Sequence, residues 1–279
     1  MIPDVQLIID SAEIPSVPDV LQDILTLSKD PQASSRQLEQ LIRKEPGLVA
    51  YLLKTVNSSY YGFPKKISSL NQTIVMLGFS SVQSIASGLM LIDTFNNLPG
   101  LNKKYVLTIW DHSLFCAGLI RIIGKKMDAK KQEEMFLASM VHNVGHLVLS
   151  QYFGPAYDQL IEQTPFPPPE NEMELLNVDH TEAGSSLLEK WKFSPDIISS
   201  VATHHNSKSY IGEKQDLYHL QTCDLLARLF DGDFLDSETC SSEDLSKLLE
   251  DIGWTWEDLR KQKEQIQTVK EGVSQTVSL

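Results

Sequence analysis

The chain has 279 residues, 42% apolar and 22% charged, enough for a sizeable core and close to the size at which one core divides into two. With 24 basic against 37 acidic residues, its formal net charge is −13, so the surface as a whole repels nucleic-acid phosphates and anionic lipid headgroups. Neither nucleic acid nor membrane is an expected partner.

The start, Met1-Ile2-Pro3-Asp4, carries no basic or apolar leader region, and apolar runs such as residues 85–92 are too short to span a bilayer. A cytoplasmic location is expected. Cys116, Cys223 and Cys240 show no metal-type spacing and read as reduced packing thiols. Val17, Val20, Leu21, Ile24 and Leu25 form a first helical stripe, with Pro18 suited to an opening turn. Ser34 or Ser35 caps a helix through Leu38, Leu41 and Ile42, and Pro46 opens the next, to Val56. A longer apolar segment over 82–95 is broken by the turn-rich residues 96–100, which set a subdomain boundary.

Helices are predicted over 105–123 and 132–153, the second interrupted only by Gly145. Thr164-Pro165-Phe166-Pro167-Pro168-Pro169 reads as a stiff extended loop that separates helices and has no role of its own. Asp179 and Glu182 have capping-box spacing before a helix to Trp191, and Ser194-Pro195 opens another that ends near His204. A helix over 217–230 follows, then a capped amphipathic segment over 242–252 and a polar one over 256–270 that is expected to fray. No sustained strand-type alternation occurs. The expected fold class is all-α, a multi-helix bundle in two packed helical subdomains.

Six of the seven histidines, His112, His142, His146, His180, His204 and His205, lie on or beside predicted helices of the second half. His142 and His146 are four apart on one predicted helix, so both rings should share a face, with Asn143 on an overlapping one. Ala138, Ser139 and Gly145 beside them permit close approach of another helix. A mid-helix glycine costs about 1 kcal/mol relative to alanine, so a tertiary contact should require Gly145. Singly, each histidine has a plainer reading: His112 shares a face with Ile109, Phe115 and Leu119, and His180, His204 and His205 sit at helix ends. Asp224 has Arg228 at i+4, a routine helical ion pair.

Taken together, the order His, His-Asn-x-Gly, His, His-His, Asp resembles the HD superfamily of metal-dependent phosphohydrolases, in which histidines and aspartates on a helical bundle bind a divalent metal that activates water. Here the His-Asp doublet is His142-Asn143. The HD-GYP branch continues with Ile-Gly-Lys where this chain has Val144-Gly145-His146. That branch also carries a glutamate and Gly-Tyr-Pro after the paired histidines, where this chain reads Asn206-Ser207-Lys208-Ser209-Tyr210. These departures count against cyclic dinucleotide cleavage. Ile14-Pro15-Ser16-Val17-Pro18, Glu45-Pro46-Gly47-Leu48, Val56-Asn57-Ser58-Ser59-Tyr60-Tyr61-Gly62 and Thr73-Ile74-Val75-Met76-Leu77-Gly78 instead resemble successive motifs of the HDOD family. Asp179-His180-Thr181-Glu182-Ala183-Gly184, Leu188, Trp191 and His204-His205 match its second half.

The resemblance spans roughly residues 10–260 and implies an HD-domain-like fold: residues 1–97 as the N-terminal helical subdomain of an HDOD module, 98–279 as an HD-like subdomain with a C-terminal helical extension, and no separate receiver, cyclase or DNA-binding module. It implies a bacterial signal-transduction output protein acting through a signalling protein partner, non-catalytic. One alternative is a metal-dependent phosphohydrolase acting on a nucleotide or other phosphoester; another is a metal or small-ligand sensor. The candidate metal ligands are His112, His142, Asn143, His180, His204, His205 and Asp224, for iron, manganese, zinc or nickel, and Asn143 and His146 are the candidate catalytic positions of the degenerate HD motif. A neutral Asn143 amide bridges two cations poorly, so a two-metal site should suffer most.

Overall fold

The computed structural model describes residues 5–11, 14, 16–58, 61–230 and 243–277, and every regular element among them is helical. Met1–Asp4, Pro15, Ser59, Tyr60, Cys240 and the expected cap Ser242 lie outside the described residues. In chain order the helices are α1 (Val5–Ser11), α2 (Asp19–Leu27), α3 (Ser35–Ile42), α4 (Pro46–Val56), α5 (Leu70–Leu77) and α6 (Phe79–Asn96). There follow α7 (Lys103–Ile123), α8 (Ala129–Val141), α9 (Val144–Phe153), α10 (Pro155–Ile161), α11 (Pro169–Leu176), α12 (His180–Lys190) and α13 (Pro195–Thr203). The last are α14 (Lys214–Leu229), α15 (Glu243–Asp251), α16 (Trp256–Lys261) and α17 (Lys263–Val277).

Local chemistry sets many of these boundaries. Ser34 and Gln37 form a reciprocal capping box on α3, Pro46 occupies the first turn of α4, and Asp179 accepts hydrogen bonds from the Thr181 and Glu182 N–H groups at the start of α12. Helices α2 to α5 pack on one side of α6, whose other side lies against α8 and α7. That double duty explains why α6 is apolar nearly all round and buries Ser84, Ser87 and Gly88 as well as its large side chains. The small helix α1 packs back on α12 and α9. One continuous hydrophobic cluster runs through both halves.

Helix α7 is the central column, packed against α8, α14 and α17. The run Lys103–Lys126 is long and apolar enough to cross a bilayer, contrary to the expectation that the apolar stretches are too short, but most of it is buried inside the fold. Its composition is that of a core helix surrounded by others.

Two other expectations are corrected. The helix predicted over 132–153 is divided at His142–Asn143 and not at Gly145: His142 ends α8, and Asn143 (φ −96°, ψ 9°) opens α9. His142 and His146 therefore sit on two helices and address different partners. The polar tail does not fray but docks, because Ile266, Val269 and Val273, spaced three and four apart, bury one face of α17 against α7. Cys116 and Cys223 are buried free thiols, as expected.

Candidate functional site

Six parts of the fold converge on the site. Helix α7 contributes His112 and Cys116, the α8–α9 junction His142 and Asn143, α9 His146, α12 His180, the end of α13 His204 and His205, and α14 Asp224. Gly145 makes this convergence possible. A Cβ on it would lie 1.8 Å from the His180 carbonyl oxygen and 2.8 Å from the Gly184 nitrogen, so α9 and α12 meet backbone to backbone. The inference that a tertiary contact requires this glycine holds. The contact stacks the His146 ring on that of His180, with centroids 3.9 Å apart and an interplanar angle of 22°.

The donor atoms fall into three groups. In the first, His112 Nε2 donates to Asp224 Oδ1 at 2.9 Å and stands 3.3 Å from Cys116 Sγ. Arg228 grips the same carboxylate, with Nε 3.0 Å from Oδ1 and Nη2 3.0 Å from Oδ2. Burial alone would raise the Asp224 carboxyl, but the Arg228 guanidinium and the hydrogen bond from His112 hold it well below the usual carboxylate range. Burial pushes the Cys116 thiol up and His112 down to about 4. His142 donates from Nδ1 to the Ser139 carbonyl at 2.8 Å, and its Nε2 stands 3.4 Å from Asp224 Oδ1.

The second group is His180, His204 and His205. His204 donates from Nδ1 to the Val201 carbonyl at 2.7 Å, and His180 from Nδ1 to Glu172 Oε2 at 2.6 Å. Their Nε2 atoms stand 3.3 Å apart. Burial lowers His180 to about 4 and His204 well below its ordinary value, so both rings are neutral and two lone pairs face each other. His205 is the exposed member, at the rim, with its ring 4.2 Å from that of His204.

The third group brings in a residue that the sequence reading passed over. Glu172 on α11 is fully buried, and its carboxylate accepts from the His180 backbone N–H at 2.8 Å, His180 Nδ1 at 2.6 Å, His146 Nδ1 at 3.1 Å and the Tyr157 hydroxyl at 2.5 Å. Against the cost of burial, the neighbouring histidines keep it ionised. In a chain segment reading Pro-Glu-Asn-Glu-Met-Glu-Leu-Leu, one glutamate among three gives no sign of facing inward. Phe166 is the second surprise: the proline-rich segment expected to lack a role lays this ring 4.3 Å from His112 and 6.3 Å from His146. It lies beside His112 in a surface pocket that Asp111, Arg228 and Lys270 also line.

The profile of the HDOD domain matches residues 14–207. The chain belongs to the HDOD family. Among solved structures, an HDOD domain protein of unknown function from Geobacter sulfurreducens is 19% identical and covers 99% of this chain and 100% of its own, with a TM-score of 0.75. A candidate phosphohydrolase of Shewanella amazonensis SB2B is 16% identical over 98% of each chain, TM-score 0.74. A candidate signal transduction protein of Marinobacter aquaeolei VT8 is 22% identical over 95% of this chain and 61% of its own, TM-score 0.69. At these identities the likeness is one of fold. An uncharacterized protein of Treponema pallidum (strain Nichols) is 24% identical over 201 residues, 70% of this HDOD chain and 38% of that protein, so the chain spans well under half the length of this curated relative.

The cluster of this HDOD protein is compatible with a metal ion. Two imidazole nitrogens held at about 2.0–2.1 Å by one tetrahedral ion stand about 3.3–3.4 Å apart, and His180 and His204 meet that spacing at 3.3 Å. Each of these rings engages its Nδ1 and leaves Nε2 free, as metal-ligating histidines do. The first group is less open to a cation, because Arg228 and His112 already hold Asp224 and Cys116 stays a thiol. Asn143 is fully buried, and neither its Oδ1 nor its Nδ2 has a protein partner; His146 Nε2 is likewise buried and unpartnered.

Proposed function

We propose that this HDOD chain is a non-catalytic, cytoplasmic signal-transduction module that acts through a protein partner, and that its histidine cluster holds a single divalent cation as a buried centre. The burial of the cluster carries the reading. His142, Asn143, His146, Glu172 and His180 have no exposed surface, Phe166 lies beside His112, and Arg228 neutralises the carboxylate that a second ion would need. A phosphoester entering the surface pocket beside His112 would have to pass Phe166 and Arg228 to reach a position where a neutral amide replaces the aspartate of the HD doublet.

The facing Nε2 atoms of His180 and His204 favour a metal-sensing form of this reading, in which occupancy of the centre sets the stability of the surrounding helices. Support for signalling comes from the family and from the Marinobacter neighbour described as a candidate signal transduction protein. The test is hydrolysis of bis-p-nitrophenyl phosphate by the purified chain with manganese, iron, zinc or nickel. No turnover above metal alone is expected. Turnover by the unaltered chain would establish the phosphohydrolase alternative, and turnover appearing only in Asn143→Asp would identify a catalytic site inactivated at that position.

A further inference from the structure

Glu172 is a buried carboxylate outside the histidine–aspartate pattern that the sequence offers, and its contacts are unequal. Oε2 takes both hydrogen bonds from His180, the backbone N–H at 2.8 Å and the ring Nδ1 at 2.6 Å, so one oxygen clamps the ring to the first turn of α12. Oε1 takes Tyr157 at 2.5 Å and His146 at 3.1 Å. The three rings that present Nε2 to the donor groups differ in what holds Nδ1. His142 and His204 give theirs to main-chain carbonyls, of Ser139 and Val201. Of these three, His180 alone gives its proton to a carboxylate, the partner that most raises the basicity of the opposite nitrogen; His146 shares that carboxylate at the longer 3.1 Å.

The charge balance agrees with this geometry. Asp224 has Arg228, whereas the ion pairs of Glu172 among the described residues are with His146 and His180 alone. A fully buried carboxylate served by neutral donors is stabilised by a cation one ring away. We propose that Glu172 is the positioning residue of the centre: through His180 Nδ1 it fixes that ring's tautomer and aims Nε2 at a divalent ion shared with His204 and His205. The inference rests on the metal reading above and adds a residue to it. Tyr157 and the stacked His146 hold the carboxylate in register, and the absence of a side chain at Gly145 lets α9 carry His146 there.

The test is titration of chelator-stripped protein with cobalt(II), read in the visible ligand-field bands, for the unaltered chain, Glu172→Gln, Glu172→Asp and Val273→Ala. Glu172→Gln keeps an acceptor for the His180 N–H but loses the charge. Its cobalt affinity is expected to fall about 10- to 100-fold, with shifted bands at saturation. Glu172→Asp, which keeps the charge but retracts it, should bind between the two, also with shifted bands. Val273→Ala, destabilised on α17 away from the site, should bind cobalt like the unaltered chain. Glu172→Gln with unchanged affinity and bands would overturn the proposal; should that variant not fold, unchanged affinity and bands in Glu172→Asp would do the same. An unaltered chain that takes up no cobalt would remove the metal reading and the proposal together.

Discussion

His180 and His204 point their Nε2 atoms at one another across 3.3 Å, each from a ring whose Nδ1 proton is already committed, to Glu172 and to the Val201 carbonyl. Two neutral imidazoles gain nothing from that contact, and a cation between them turns it into coordination. Metal should therefore stabilise the fold. At a free-ion concentration about a hundredfold over Kd, linkage gives about 2.7 kcal/mol. The urea midpoint of chelator-treated protein is expected to rise on adding zinc or manganese, and His204→Ala to abolish the rise. An equal rise in the variant would place the binding elsewhere.

The buried rings also set a pH dependence for the metal-free protein. Burial depresses His112 and His180 from an ordinary 6.5 to about 4 and takes His204 well below its ordinary value, so below pH 6.5 the unfolded chain binds protons that the folded chain refuses. Stability should be full above that pH and fall as pH drops toward 4, on the order of 2 kcal/mol by pH 5 for each of His112 and His180. Urea midpoints at pH 7.5, 6.0 and 5.0 measure it. A flat profile over this range would show that the rings take up protons in the fold.

Gly145→Ala should be among the most damaging single-methyl changes in the chain. The new Cβ meets the His180 backbone oxygen at 1.8 Å, and no rotamer relieves a backbone clash. A loss on the order of 3 kcal/mol is expected, along with loss of metal uptake, because α9 and α12 must separate. Denaturation and metal content of the same preparation check both.

Phe166→Ala should open the cluster without dismantling it. The ring is half-buried, so the stability cost should be about 1–2 kcal/mol, while His112 becomes reachable. Carbethoxylation of histidines, followed by mass spectrometry, is expected to be slow at His112 in the unaltered chain and fast in the variant. Equal rates would mean that the proline-rich segment does not close the site.

Much of this architecture is legible in the chain because helices announce themselves locally. Ser34, Pro46, Asp179 and Pro195 open helices where their side-chain chemistry predicts, and Gly145 revealed a close approach because a mid-helix glycine needs a tertiary reason. Features decided by long-range packing were hidden. The break at His142–Asn143 carries no proline or glycine at the junction itself, so periodicity ran through it. Glu172 looks like a surface glutamate until Tyr157, His146 and His180 surround it, and Phe166 sits in a segment whose prolines suggested only a spacer. The docking of α17 was readable from Ile266, Val269 and Val273 but was masked by the polar residues between them.

A centre that holds one cation is tested most directly by the metal content of tag-free protein, measured by elemental analysis before and after dialysis against a mild chelator. About one iron, manganese, zinc or nickel ion per chain is expected, retained through dialysis by the burial of His180 and His204. Two ions per chain would contradict a single-cation centre, since Arg228 already holds the Asp224 carboxylate and Asn143 is a neutral amide. A metal-free chain with undiminished stability would contradict it as well.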